Sequence, residues 1–212
     1  MRIVSPTGKK IYYNSKRIKS ITEPEPPEPP VPPPPEGITI DGRTYTTVKI
    51  GNQMWTCEDL NLNLNTSLEY HNNNVGYYEK STLNVKINEY LQTNGLSNWR
   101  VPTHQDMTEL LTFIKTDNNL TNNSQTCYYL YKVGSSSITS IDKYGFALLP
   151  NGAYDNGMGL VNIGFNANIG YTVENKVNYT YRSYFLNGGA AYGEGDATGY
   201  KVVVRLVSNV EV

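Results

Sequence analysis

Along residues 103–117, apolar side chains recur at Met107, Leu110, Leu111 and Ile114. That i, i+3, i+4, i+7 spacing puts one stripe on one face of an α-helix. Thr103 stands where an N-cap belongs, and Asp106 falls three residues on, at the positive end of the predicted helix. A shorter helix is predicted over residues 85–91, ended by Asn94-Gly95. Upstream the pattern changes to strands. Ile38-Thr39-Ile40 and residues 45–50 flank Asp41-Gly42, a strong hairpin signal. Gly51-Asn52 marks a second turn and Gln53-Met54-Trp55-Thr56 a third strand, while residues 61–80 and 117–125 read as polar loops. Further strands are expected over residues 127–133, 144–149, 160–163, 179–185 and 201–207. In the last of these Val202, Val204 and Leu206 alternate with Val203 and Arg205, as on a half-buried strand. No repeat of about 20–50 residues is present. The expected class is α+β: a sheet, one firm helix, and outward loops near residues 151–158, 164–176 and 186–199.

Residues 23–36 break every periodicity, because nine of the chain's 12 prolines lie there with four glutamates. Proline lacks the N–H that helices and ladders need, so the segment is expected to be a polyproline II rod of roughly 40 Å. It divides the chain into a tail (residues 1–22), a rigid linker (23–36) and a domain (37–212). In the tail, residues 2–4 and 9–13 read as strands about the turn Ser5-Pro6-Thr7-Gly8. An isolated hairpin is marginal in water, so the tail should order only against a partner. Its positive residues Arg2, Lys9, Lys10, Lys16, Arg17 and Lys19 meet no acid before Glu23. They are the expected anchor. The domain holds 12 basic against 15 acidic side chains, which argues against nucleic acid as its partner and leaves it open for the tail. A stiff spacer between two working ends describes a tethered head.

The composition excludes several chemistries. Two cysteines, Cys57 and Cys127, lie 70 residues apart in apolar-aromatic surroundings, without metal-ligand spacing, and are expected to be free thiols. The histidines, His71 and His104, are accompanied by no grouped nucleophile or carboxylate. The run Gly193-Glu194-Gly195-Asp196-Ala197-Thr198-Gly199 precedes a predicted strand where a phosphate loop would open a helix. Neither a cofactor nor a metal is expected, since Asp155-Asn156-Gly157 offers too few oxygens for calcium and reads as a tight turn. The opening residues contain no apolar run of export-signal length, and no stretch is long enough to span a membrane. Synthesis and assembly in the cytosol are therefore expected. Tyr (18) and Asn (25) are abundant, which suits either loops for adaptable recognition or an all-β interior with long ordered loops. Tyr154, Tyr171 and Tyr192, with Asp155 and Asn156, are the candidate ligand-binding residues on those loops.

Four blocks carry a family resemblance. They are Ile40-Asp41-Gly42-Arg43-Thr44-Tyr45 continuing through Gly51-Asn52-Gln53-Met54-Trp55 to Leu60-Asn61, then Trp99-Arg100-Val101-Pro102-Thr103, then Gly145-Phe146-Ala147-Leu148-Leu149-Pro150-Asn151-Gly152, and finally Val204-Arg205-Leu206-Val207. In this order they resemble the Fibrobacter succinogenes major paralogous domain, a module of bacterial surface proteins. The resemblance implies a C-type-lectin-like fold and a binding role, and it transfers no catalytic or metal site. Two cysteines common in that family are replaced here by Gly95 and Leu206. Joint loss of both is what a chain that meets no oxidising compartment would show if they form one disulfide in exported members. The cysteine pair of the sulfatase-modifying relatives and the calcium motifs of sugar-binding lectins are absent as well, so no enzyme activity is expected.

Cytosolic assembly, a basic anchor, a stiff spacer and a lectin-like head together suggest a virion structural protein. It would be a head or tail fibre or decoration of a bacteriophage, joined to other virion proteins through residues 1–22. Its head would bind a host-surface glycan or protein as a homo-oligomer. A bacterial cell-surface adhesin is the alternative.

Overall fold

The computed structural model describes residues 37–79, 82–135, 140–173, 176–186, 189–196 and 198–209, with the side chains of residues 84 and 174–197 left aside. The chain divides into two units, Met1–Pro34 and Pro35–Val212. The expected tail hairpin, the anchor residues Arg2, Lys9, Lys10, Lys16, Arg17 and Lys19, and the proline rod lie outside the described residues.

Asp41 and Gly42 both take positive φ, 49° and 73°, the two-residue turn whose twist matches that of its flanking strands. It joins β1 (Gly37–Ile40) to β2 (Arg43–Ile50), and the Gly51-Asn52 turn joins β2 to β3 (Gln53–Thr56). The C-terminal strand β12 (Val207–Asn209) completes this antiparallel sheet beside β3, with Val207 opposite Trp55. Residues 61–80, expected as loop, contain a hairpin of β4 (Glu69–Asn72) and β5 (Val75–Tyr78). A π-helical turn, Thr82–Lys86, then enters α1 (Ile87–Thr93).

The main helix α2 (His104–Asp117) begins as its sequence predicts. Thr103 accepts from the backbone N–H of Asp106, and the Asp106 carboxylate accepts from the backbone N–H of Thr103, so two orphan donors are satisfied reciprocally. Met107, Leu110, Leu111 and Ile114 are all buried against Trp55, Phe146 and Ile169. Each such burial contributes roughly 1.5–3 kcal/mol.

Residues 127–133 are not a strand. Asn122 and Gln125 cap a 3-10 turn, Asn123–Thr126, that runs directly into α3 (Cys127–Leu130). Residues 144–149 are irregular too: Ala147 takes φ 53°, and its N–H is held by the Asp142 carboxylate at 3.0 Å. Beyond them, β6 (Ala153–Asp155), β7 (Gly159–Val161) and β11 (Tyr200–Lys201) form one antiparallel sheet in the order β11-β6-β7. A second, in the order β10-β9-β8, comprises β8 (Asn166–Val173), β9 (Lys176–Leu186) and β10 (Gly189–Asp196). The fold is thus mixed α+β.

Residues 202–207 are buried on both faces, where alternation suggested one. Val202, Val204 and Leu206 enter a cluster with Ile40, Tyr45, Leu60 and Tyr78, while Val207 joins the cluster under α2. Backbone bonds reach Tyr78, Gly170, Leu60, Thr56 and Arg100 from this short run. Arg205 is fully buried within it. Its Nε donates to Asp59 Oδ1 at 2.9 Å, its two other nitrogens donate to the carbonyls of Phe146 and Ala147, and its guanidinium lies 4.5 Å from the Phe146 ring centroid. Asn151 Nδ2 donates to the second oxygen of Asp59.

Removing one partner of such a pair leaves an uncompensated buried charge. Arg205→Met should therefore cost about 3–5 kcal/mol in urea unfolding, and adding Asp59→Leu should restore much of the loss. No recovery in the double variant would mean that the guanidinium is needed for its carbonyl bonds rather than for the charge pair.

Asp106 sets the acid limit of α2. Burial pushes its carboxyl up, but hydrogen bonds from Arg100, at 2.5 and 2.8 Å, and from Thr103 outweigh that and hold it below its usual value. A carboxyl lowered in the folded state contributes its full stability above the unfolded value, about 3.9, and loses it as pH falls through the folded one. The stability gap between the parent and Asp106→Asn, read from urea midpoints, should be constant above about pH 5 and close towards pH 2.

Candidate recognition surface

The β6–β7 hairpin is closed by an Asp turn. Asp155 Oδ1 accepts from the backbone N–H of Gly157 and of Met158, each at 2.8 Å, and Asn156 Nδ2 donates to Glu79 Oε1 at 3.4 Å. This is the tight turn expected for Asp155-Asn156-Gly157, and it commits one carboxylate oxygen to the backbone. A second turn follows β7. The Asn162 carbonyl accepts from the N–H groups of Phe165 and Asn166 at 3.2 and 3.0 Å, and Gly164 N–H donates to the Pro150 carbonyl at 2.8 Å. Met158, in the first turn, and Ile163 and Phe165, in the second turn beyond β7, are 72%, 48% and 62% exposed. Large apolar side chains exposed on hydrogen-bonded turns are the candidate recognition positions.

The five sequence-predicted residues fall differently. Tyr154, on β6, is half-buried and stacks on Tyr70 of β4 at 4.1 Å. Lys201 Nζ lies 5.3 Å from the Tyr154 ring centroid and donates to the Ser67 carbonyl. Tyr154 is thus packed against Tyr70 and Lys201 while remaining half-buried. Tyr171 corrects the expectation outright. It lies on β8 rather than in a loop and is 1% exposed in the cluster under α2, its ring 5.9 Å from that of His104. Burial follows from strand position: Gly170 N–H donates to Val203 and Thr172 N–H to Pro102, so β8 is an interior strand. Tyr192 lies on β10 opposite Ser183, with its side chain outside the described residues. The expected loops 164–176 and 186–199 are thus largely β8 and β10, and only the turn containing Asp155 and Asn156 remains in the candidate surface.

Met158, Ile163 and Phe165 were missed by sequence reasoning. The signal was present: each is a large apolar residue between turn formers, in Gly157-Met158-Gly159 and Asn162-Ile163-Gly164-Phe165-Asn166.

His71, on β4, has Nδ1 2.6 Å from Asn61 Oδ1, and His104 opens α2, so the two histidines belong to separate settings. Among the described residues no group of three or more His, Cys, Asp or Glu side chains is placed to hold a metal ion. No described helix is long and apolar enough to cross a membrane. Cys57 and Cys127 are both buried, and neither is in a disulfide. Burial pushes the Cys57 thiol up to about 11, against a smaller downward pull from Arg205. No protein-family model, curated protein or solved structure matches this chain.

The thiols give a direct check. Alkylation at pH 7.5 without reductant should add no label to the native protein and two labels per chain in denaturant. Fewer than two in denaturant would reveal a disulfide, and rapid native labelling would show that the core around Cys57 opens.

Proposed function

We propose that this chain is a virion structural protein of a bacteriophage, a head or tail fibre or decoration. It would be anchored through residues 1–22 and present residues 37–212 as a lectin-like head that binds a host-surface glycan or protein. The single observation that carries the recognition half is the exposure of Met158, in the turn of Asp155 and Asn156, and of Ile163 and Phe165, in the hydrogen-bonded turn beyond β7. The basic tail and the proline-rich spacer support the anchoring half, and the resemblance to the Fibrobacter succinogenes major paralogous domain supports the lectin-like fold.

Exposed turn side chains with no enclosing pocket bind weakly, at about 0.1–1 mM or roughly 4–5.5 kcal/mol. Several heads acting together raise avidity by about 10²–10⁴-fold, which is why the reading includes a homo-oligomer. The test is binding of the full-length chain, multimerised on a streptavidin scaffold, to host cells and to a non-host control. Selective host binding that falls at least tenfold in the Met158→Ser, Ile163→Ser, Phe165→Ser variant is expected. Equal binding to both cell types would overturn the recognition half. Undiminished incorporation into particles after deletion of residues 1–22 would overturn the anchoring half.

A further inference from the structure

On a separate surface, a groove of about 610 Å3 runs between the β2–β3 turn (Ile50, Gly51, Asn52, Gln53) and the outer side of α2, where Thr108, Glu109, Thr112 and Phe113 face it. Its construction is specific. Gly51 has φ 61°, and a Cβ there would stand 3.0 Å from the Phe113 ring, so glycine favours this close approach of the turn. Phe113 also meets Tyr144 edge-on at 5.9 Å, yet stays 37% exposed. Glu109 lies one helical turn before Phe113, on the same side of α2. Its carboxylate is already oriented: Gln53 Nε2 donates to Oε2 at 3.2 Å and Gln105 Nε2 to Oε1 at 2.9 Å.

The amide of Gln53, a buried residue, is shared by two carboxylates, Asp106 and Glu109. Asp106 has its cation, Arg100. Glu109 forms no ion pair among the described residues. Two neutral amides leave about half of a carboxylate's lone-pair sites open, and the open sites border an exposed aromatic ring. A lone carboxylate does not make a specific metal site, whereas a planar guanidinium can lie on the ring and bond the carboxylate through its edge. An ammonium is a point charge that gains less from such a slot.

We propose that this groove is a docking site for an arginine side chain presented by a partner protein, stacked on Phe113 and paired with Glu109. The partner's flanking backbone would lie along Asn52, Thr108 and Thr112, whose exposed polar groups line the same channel.

The test titrates the full-length, ¹⁵N-labelled chain with the capped tripeptide Gly-Arg-Gly and with its citrulline and lysine counterparts, reading amide shifts. Saturable shifts confined to residues 50–53 and 108–113 are expected with arginine. The citrulline peptide, equal in shape but uncharged, and the lysine peptide should bind at least fivefold and threefold more weakly. Glu109→Gln, an exposed substitution that keeps the fold, should weaken the arginine peptide at least fivefold, and Phe113→Leu should do the same. Shifts outside the groove, citrulline or lysine binding as well as arginine, or unchanged affinity in Glu109→Gln would each overturn the assignment.

Discussion

A charged guanidinium with no access to water constrains the whole fold. Desolvating such an ion costs several kcal/mol, so Arg205 is tolerable only when it is paired and hydrogen-bonded. The acceptors come from distant stretches of chain: Asp59 follows β3, while the Phe146 and Ala147 carbonyls belong to the irregular segment before β6. Those carbonyls point inward because Ala147 adopts φ 53° and Asp142 holds its N–H. Asn151 then occupies the second oxygen of Asp59, and Tyr77 OH donates to the Asn151 carbonyl at 2.9 Å. One buried cation thus fixes two loops that have no secondary structure of their own.

A second hub works at the edge of the protein. Arg100 bridges the Asp106 carboxylate, which also receives Thr103 and Gln53, and Gln53 in turn accepts from Trp55 Nε1 at 3.1 Å. Here the cation is partly solvated, 33% exposed against 5% for its partner. Its net contribution is accordingly smaller than that of Arg205, and orientation of α2 against β3 is its main effect. All four sequence blocks behind the family resemblance feed these two hubs: Gln53 and Asp59, Arg100 and Thr103, Phe146 to Asn151, and Arg205.

Local signals were legible where local physics decides. The Asp41-Gly42 turn, the stripe of α2 and its Thr103 cap all stand as read. Reading failed where distant partners decide. β8 carries Asn166, Asn168 and Gly170, which look like loop residues, yet all of Asn166 to Tyr171 is buried because strands or bridges flank it on both sides. Gly170 is required there by packing, since a Cβ would stand 2.7 Å from Val202 and 2.8 Å from Leu83. At Cys127–Leu130 an aromatic run suggested a strand, although the capping pair Asn122 and Gln125 already announced a helical turn in the sequence. The candidate surface was half legible: the Asp155 turn was found, and the exposed Met158, Ile163 and Phe165 were passed over by a search for tyrosines.

The abundance of tyrosine now has a physical reason unconnected with ligand binding. Long irregular segments carry backbone groups that no ladder satisfies, and each must find a partner once buried. Tyr45 OH accepts from Asn61 N–H at 3.0 Å, Tyr78 OH accepts from Leu62 N–H at 2.6 Å, and Tyr131 OH accepts from Ala167 N–H at 2.9 Å. Burial raises the Tyr45 and Tyr78 phenols above their ordinary value and Tyr77 to about 12, so they remain protonated and can donate as well as accept. Tyr78 does both, returning its proton towards the Leu62 carbonyl at 3.0 Å. A phenol brings a large apolar body and one hydrogen-bonding tip, which fills core volume and pins a passing loop in a single residue. Each such bond contributes about 1 kcal/mol net, but leaving the backbone group unpaired would cost more, so the asymmetry favours tyrosine wherever the chain crosses the core without a strand.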